Sequence, residues 1–588
     1  MHEFTVWAPA AKRVSVKASG ELHEMVGPDD HGWWSALVQS AAAGSDYGFV
    51  VDEDPAVYPD PRSAWQPGGV HRLSRVYDHA AFTWHDERWQ SPPLASAILY
   101  ELHVGTFTLG GTFDSAIERL DSLVELGITH VELMPVAAYA GNHGWGYDGV
   151  ALFAVAENYG GPDGLKRFVD ASHAHGLAVV LDVVYNHFGP SGNYTGKFGP
   201  YVTNSHNTPW GDAVNFEDVG SDQVRQFFCD NALMWLRDYH VDGLRIDAVH
   251  AFVDRSAIHF LEQLSAEVET LAATLGRRLE LIAESDLNDP RVVTPRKAGG
   301  YGIDAQWSDD FHHALFTLLH PETLGYYADF GSVAQLAKAL TKVFVYDDVY
   351  SKYRRRRHGR PVEGLSAHRF LGFIQNHDQV GNRAMGDRLE QIVGMERAKI
   401  AAALVLTAPF VPLVFQGEEF AASTPFLYFA DHDDPELARA VSAGRRREFA
   451  AFGFTAQEIP DPEAHETFEK SRLKWDELGR ERHAEMREWY RALIRLRRSS
   501  AALNDGDLAH ITVRFDEARR WIVMDRGGVQ VLCNLGKDAA SFDLPDGFHV
   551  VMTSREAGIA CDDALSTGRK IALAPETLTI LSDEQREE

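Results

Sequence analysis

The chain has 588 residues, 45% apolar and 24% charged, an ordinary globular composition with ample material for a core. Lysine and arginine total 56 against 85 aspartates and glutamates, a formal net charge of −29, and so negative a field argues against a nucleic-acid or anionic-membrane partner. The three cysteines (Cys229, Cys533, Cys561) are far apart and odd in number, so no disulfide framework or CxxC metal site follows and a reducing, cytoplasmic setting fits.

The opening MHEFTVWAPA has no basic region followed by an apolar core, so no signal peptide is expected. Residues 1–90 read as an N-terminal β-sandwich. FTVWAP (Phe4 to Pro9) and RVSVKA (Arg13 to Ala18) alternate apolar and polar residues, and Gly27-Pro28-Asp29-Asp30 and Tyr58-Pro59-Asp60-Pro61 punctuate them. Pro92-Pro93 reads as a linker.

From residue 97 short apolar runs alternate with helix-period segments. The expected strands are 97–102, 129–136, 178–185, 243–249, 279–285, 303–307, 369–376 and 411–416. After the first, Thr112 is a candidate N-cap for an apolar stripe (Phe113, Ala116, Ile117, Leu120, Leu123, Val124) that Gly127 ends. Eight such units over residues 91–500 predict a closed (β/α)₈ barrel, of α/β class. The alternative is an open doubly wound sheet, weakened because no GxGxxG or GxxxxGK[ST] follows the first strand. Arg354-Arg355-Arg356-Arg357 reads as a solvated loop paired with Asp347-Asp348 rather than a nucleic-acid site, since no aromatics interleave it. Ile400 to Phe415 is shorter than the roughly 18 residues of a membrane span and carries Pro409 and Pro412, so it reads as a buried helix and strand. Residues 421–478 are charge-rich without a convincing strand, an insertion before a last barrel helix at Glu481 to Arg498. From 501 strand patterns return (HITVRF, RWIVMD, VQVLCNL, FHVVMT, TLTILS), a C-terminal antiparallel β-domain reaching 588.

In such a barrel reactive side chains come from the C-terminal ends of strands. In GLRIDAVH, Arg245 and Asp247 share one strand face, where a charged pair is costly unless matched. Glu284 ends the fifth strand, His377 and Asp378 the seventh, and Asp182, Asn186 and His187 the third. Several carboxylates in one cleft suit glycoside hydrolysis, where one acid stays ionised and another protonated. Arg245 is placed to hold Asp247 ionised, and the apolar run before Glu284 to keep it protonated. A retaining mechanism needs the two carboxyls about 5–5.5 Å apart, which neighbouring strands about 4.8 Å apart supply. Gly144-Trp145-Gly146-Tyr147-Asp148-Gly149 follows the second strand; its glycines are expected to leave the rings exposed, with Tyr147 the stacking candidate. Trp307 to His313 either lines the outer cleft or is a helix start capped at Ser308. No HExxH motif occurs, and no HxH spacing among these residues favours a metal site.

DVVYNH (182–187), GLRIDAVH (243–250), the glutamate of IAESD and IQNHDQVGN (374–382) resemble, in order and spacing, the four signature regions of the α-amylase family of glycoside hydrolases. The resemblance implies Asp247 as nucleophile, Glu284 as acid/base and Asp378 as transition-state stabiliser, with Arg245, His187, His377, Asp182 and Tyr147 holding the sugar. FTVWAP resembles the N-terminal sandwich of branching and debranching members. AESDLNDPR, DAQWSDDFHHAL and QNHDQVGNRAMGDRL resemble the malto-oligosyltrehalose trehalohydrolase branch, which cleaves the α-1,4 bond next to a terminal trehalose. That branch implies substrate contacts along 245–250 (His250 included), 309–313 (Asp309, Asp310, Phe311, His312, His313) and 376–381 (Asn376, Gln379). It implies malto-oligosyltrehalose as substrate and malto-oligosyltrehalose synthase as pathway partner. The short segment from Phe188 to Asp218 leaves little room for a calcium-binding subdomain, so no metal or cofactor is expected. A branching or debranching enzyme is the alternative. A non-catalytic glucan binder should have lost a carboxylate, and all three are present.

Overall fold

The computed structural model describes residues 1–322, 324–450, 455, 458–555 and 569–583. Cys561 and the end of the expected C-terminal domain lie outside them. Eight parallel strands close into a barrel in sequential order: β1 (Leu99–Leu102), β2 (His130–Leu133), β3 (Ala178–Val183), β4 (Gly243–Ile246), β5 (Glu280–Ala283), β6 (Ala305–Trp307), β7 (Phe370–Gly372) and β8 (Val411–Phe415). The closing pair aligns Leu413 with Leu99 and Phe415 with Glu101, which excludes an open doubly wound sheet. Both faces of each strand are buried, so the runs read as continuously apolar rather than alternating. Leu99, Val180, Ile282, Leu371, Val411 and Leu413 fill the lower barrel interior. Each hydrogen-bonded ladder is shorter than the apolar run that predicted it. In six of the eight the last residues of the run leave the ladder and form the barrel mouth; the first and sixth runs end with their strands.

Thr112 does cap the first barrel helix, accepting from the Ser115 N–H, but the expected stripe divides into Phe113–Ile117 and Leu120–Leu126 before Gly127 ends it at φ +100°. The apolar stretch from Ile400 splits into a buried helix, Met395–Thr407, and β8, and the last barrel helix is Glu481–Ser499. No helix among the described residues is long and apolar enough to cross a membrane. The described part of 421–478 holds the helices Pro435–Ala450 and His465–Lys470 and no strand.

The N-terminal region pairs His2–Trp7 with Trp33–Val38 and builds a four-stranded antiparallel sheet from Glu21–Glu24, Val14–Ala18, Asp46–Val51 and Ser74–Arg75. Its aromatic residues pack on the segment after β3: Trp7 on Tyr201 (ring centroids 5.3 Å), Tyr58 on Tyr194 (5.5 Å) and Phe49 on Phe198 (6.1 Å). The C-terminal region forms a five-stranded antiparallel sheet, with a further pair, Ala540–Asp543 and Lys570–Leu573, that the alternation did not reveal.

Pro92-Pro93 belongs to a clamp rather than a free linker. Leu94 enters the barrel interior, and its N–H donates to Glu280 Oε1 at 2.8 Å. Upstream, Trp84 stacks on His240 at 3.8 Å and Trp89 on His173 at 4.5 Å. The buried His173 ring lies between two carboxylates, Nδ1 2.8 Å from Asp86 and Nε2 3.0 Å from Asp242. Burial works against the His173 charge, but Asp242 and Asp86 outweigh it and raise its pKa, while burial of both acids is outweighed by His173, which leaves each below the carboxylate range. The carboxylate contribution to stability is therefore present above about pH 4 and lost as pH falls; the His173 contribution is present below about pH 6.5 and lost as pH rises through its raised value. Asp242→Asn should cost about 3–5 kcal/mol, as breaking a buried ion pair does. The loss should be greatest between about pH 4 and pH 6.5, read from the thermal midpoint of both proteins across pH.

Candidate active site

The mouth of the barrel is organised around Arg245, which β4 directs inward and which is wholly buried. The parallel register sets it beside Asp182 of β3. Its Nη1 donates to Asp182 Oδ2 at 2.8 Å and to Asp247 Oδ1 at 2.7 Å, its Nη2 stands 3.8 Å from Glu284 Oε2, and its guanidinium lies 4.3 Å over the Trp307 ring. Asp247 and Glu284 end adjacent strands: the Asp247 N–H donates to the Val183 carbonyl and the Glu284 N–H to the Ile246 carbonyl, each at 3.0 Å. Ala248 between them is left-handed at φ +42°, and its N–H donates to Glu284 Oε2 at 2.6 Å.

The seventh strand delivers the other half. Asn376 caps the helix His377–Gly381 by accepting from the Gln379 N–H at 2.8 Å. His377 is buried, with Nδ1 2.5 Å from Glu101 Oε1 and Nε2 2.7 Å from the Tyr147 hydroxyl. That hydroxyl donates to Asp182 Oδ2 at 2.6 Å, and the Tyr147 ring lies nearly parallel to His377 at 5.2 Å. Asp378 is the most open of the three candidate catalytic carboxylates and accepts from Asn382 Nδ2 at 3.1 Å. His187 Nε2 lies 3.0 Å from the Tyr147 carbonyl, and its ring stacks on Trp210 at 5.1 Å. His250 faces Glu284 and Asp286.

Burial raises the Glu284 carboxyl above its ordinary range against the pull of Arg245, and pushes Asp182 up to about 7. Burial also works against the charge on Arg245, but Asp182, Tyr147, Asp247 and Glu284 outweigh it. Asp309, also at this mouth, is pushed well up by burial and then by Glu284 and Asp378. The arrangement thus sets a carboxylate on an arginine beside a carboxyl inclined to keep its proton, the division of labour that acid/base chemistry requires. Among the described residues no group of three or more His, Cys, Asp or Glu side chains is arranged to hold a metal ion.

Comparison with known proteins places this geometry. Residues 61–207 match the family model "Alpha amylase, catalytic domain", and residues 506–578 match a domain of unknown function, DUF3459. The chain is 48% identical to malto-oligosyltrehalose trehalohydrolase of Rhizobium sp. (strain M-11), over 99% of this chain and 97% of that protein. It is 50% identical to the Mycobacterium tuberculosis (strain CDC 1551 / Oshkosh) protein of that name, over 92% of this chain and 93% of that one. The chain belongs to the malto-oligosyltrehalose trehalohydrolase family. A crystal structure of a putative α-amylase from Salmonella typhimurium superposes with a TM-score of 0.89 at 37% identity, covering 99% of this chain and 97% of that one.

Several trehalohydrolase-like contacts expected from sequence are placed differently. Trp145 is buried against Phe426, and Tyr147 is half-buried, so the glycines do not expose the rings. Gly146 is required instead by its φ of +100° and by a Cβ position 2.2 Å from the Pro135 carbonyl oxygen. Of 309–313, only Asp309 faces the acids. Asp310 is buried and accepts from the Val345 and Tyr346 N–H groups at 2.7 and 2.8 Å; Phe311 is in the core against Phe410; His312 bonds the Tyr327 hydroxyl at 3.0 Å; His313 is covered by Tyr326, Tyr327 and Phe330. The expected side-chain cap at Ser308 is not made, although a helix does start at Asp309. Gln379 accepts from the Tyr327 hydroxyl at 3.3 Å. Arg355, Arg356 and Arg357 of the arginine run are solvated as expected, but they sit on a hairpin and Arg354 turns inward. Arg354 reaches Asp286 at 2.9 Å beside the site, while Arg357 does lie 3.8 Å from Asp348, across the hairpin of Asp347–Ser351 and Arg356–Gly359.

Sequence reasoning missed Glu101 and Glu132, buried acids inside β1 and β2, whose signal was an acid within an apolar barrel strand. It also missed two aromatic residues. Trp210, 47% exposed, covers His187, and Tyr326, 38% exposed, packs on His313 with Asp378 and Asp309 near it. Gly146→Ala should strain the backbone by about 1–3 kcal/mol and displace Tyr147. The expected outcome is a lowered thermal midpoint and a larger loss of activity than Gly479→Ala, whose Cβ would meet open space at an ordinary φ.

Proposed function

We propose that the chain is a retaining glycosidase that cleaves the α-1,4-glucosidic bond next to the terminal trehalose of malto-oligosyltrehalose and releases trehalose. The observation that carries the reading is the pairing of Asp247 and Glu284 on adjacent strand ends, one bonded to Arg245 at 2.7 Å and the other raised by burial. The family membership supports the substrate.

In this reading Asp247 attacks the anomeric carbon while Glu284 gives its proton to the departing glycosidic oxygen. Trehalose leaves, and a glycosyl ester on Asp247 remains. Glu284, now a base, takes a proton from water, which displaces the ester and regenerates both groups. Asp378 stabilises the developing positive charge. Arg245, Asp182, Tyr147, His187, His377 and His250 hold the sugar in the cleft, with Asp309, Asn376 and Gln379 shaping its wall. The chemistry calls for no metal or cofactor. Malto-oligosyltrehalose synthase would supply the substrate in the cytoplasm. The same reading divides the chain at about residues 90 and 500 into a sandwich, a catalytic barrel and a β-domain.

Incubation with malto-oligosyltrehalose should release trehalose; glucose or maltose without trehalose, or faster action on α-1,6-branched glucan, would refute the reading. Because Glu284 acts protonated and its carboxyl is raised, activity should fall as pH rises through its value. Glu284→Gln should lower kcat by about 10²–10⁴ and remove the Glu284 step from the alkaline side of the profile, measured as trehalose release against pH.

A further inference from the structure

We propose that Glu101 is a positioning residue of this site: its carboxylate holds His377 as a cation whose two ring N–H groups both donate, and through His377 it fixes Tyr147 and Asp182 around the reacting sugar. The inference rests on the reading above. Glu101 lies on β1, and two bonds join it to His377, from the backbone N–H to Oε2 at 2.9 Å and from Nδ1 to Oε1 at 2.5 Å. Both side chains are about 1% exposed. With Nδ1 committed to a carboxylate, the Nε2 proton points to the Tyr147 oxygen at 2.7 Å, and the Tyr147 proton to Asp182 at 2.6 Å. Asp182 in turn accepts from Arg245. The chain of bonds runs from β1 through the seventh strand end, the β2 loop and β3 to β4, and ends at the guanidinium that holds Asp247. Because the single Tyr147 proton goes to Asp182, Nε2 must donate to the Tyr147 oxygen, and a neutral His377, with one ring donor, cannot donate to Glu101 and Tyr147 together.

The groups around His377 support a cation there. Glu101 and Asp378 favour its charge, Arg245 opposes it, and the tight burial that alone would strip the proton is outweighed, which raises His377 to about 9. His103 nearby is held neutral by burial. Trp145 and Trp307 close the remaining sides with rings at 5.5 and 6.1 Å. Glu132 stands beside Glu101 in the β1–β2 register, and neither of its oxygens has a hydrogen-bond partner. Burial and then Glu101 raise Glu132 well above the carboxylate range, so it does not compete for the cation.

Glu101→Gln keeps the shape and removes the charge. His377 should then lose its proton at lower pH, and the alkaline limb of kcat/KM for trehalose release that belongs to His377, a step separate from that of Glu284, should move down by about 1–3 pH units, with the thermal midpoint near that of the parent. In a His377→Asn background the same change should leave the limb where it is, because the route through His377 is gone. An unmoved limb in Glu101→Gln, or an equal movement in both backgrounds, overturns the proposal. The parent protein gives a second check that needs no folded variant at residue 101. The His377 ring Cε1–H resonance, assigned by its loss in His377→Asn, should titrate near 9; a midpoint at or below the ordinary 6.5 or so overturns it. If the parent releases no trehalose, the functional reading fails, whereas the resonance still tests the Glu101–His377 charge pair.

Discussion

One buried guanidinium organises the mouth of this barrel. Taking an arginine out of water costs several kcal/mol even after relaxation, so its partners must be close and well aligned. Arg245 meets that condition with Asp182 and Asp247 on one nitrogen and Trp307 under its plane, while Glu284 lies 3.8 Å from the other. The same contacts make two of the candidate catalytic carboxyls unequal. Asp247 takes the closer share of the charge, and Glu284 is left to be governed by burial. A lysine would offer a point charge without the planar, delocalised group that lies over a ring while one of its nitrogens bonds two carboxylates. Which carboxyl is bonded to the cation and which is left to burial is therefore a consequence of where one side chain's nitrogens point.

That arrangement depends on closure. Arg245 and Asp182 are 63 residues apart, and Glu101 and His377 are 276 apart; only a sheet closed between β8 and β1 sets all of them on one rim. The opposite end of the barrel is secured by other arginines. Arg497 of the last helix donates to the carbonyls of Leu406, Ala408 and Phe410, and Arg526 of the C-terminal region to those of Thr407 and Ala408. They satisfy the orphan carbonyls where the helix Met395–Thr407 turns into β8. Burial lowers Arg497 to about 9 and Arg526 to about 10, a measure of how far they are withdrawn from water. The C-terminal sheet is thereby joined to the barrel through the start of its closing strand.

The barrel was legible because its strands are apolar runs at regular intervals, and the rim because polar residues interrupt those runs at their ends. Arg245, Asp247 and Glu284 could be placed on one rim by the period of two and by strand adjacency. Glu101 was not, because an acid inside a strand reads equally as an outward residue until the strand's neighbours are known. Helix phase hid the rest. From Asp309 onward each residue turns by about 100° about the helix axis, so a contiguous stretch cannot all face a cleft: Asp309 does, Phe311 enters the core, and Asp310 bonds the chain at Val345 and Tyr346. A family resemblance transfers a stretch, whereas geometry selects within it. Trp210 and Tyr326 carry no local signal, since an aromatic in a loop is usually packed.

The added regions explain how loops can be precise. Catalytic groups must be held to within about 0.5 Å, yet loops are the mobile part of most folds. Here the Tyr147 loop is backed by the insertion: Trp145 Nε1 donates to the Leu427 carbonyl at 2.9 Å, and Asp431 accepts from the Asn142 N–H at 2.7 Å. Asp433 joins the insertion to two other pieces, 2.6 Å from His71 of the N-terminal region and 2.6 Å from Ser191 of the loop after β3. That loop, which carries Trp210 over His187, is covered in turn by Trp7, Phe49 and Tyr58. Both of these loops are thus braced by a segment distant in sequence. The sandwich and the insertion contribute none of the three candidate catalytic carboxylates; they turn surface loops into walls that hold aromatic and histidine side chains around the barrel mouth.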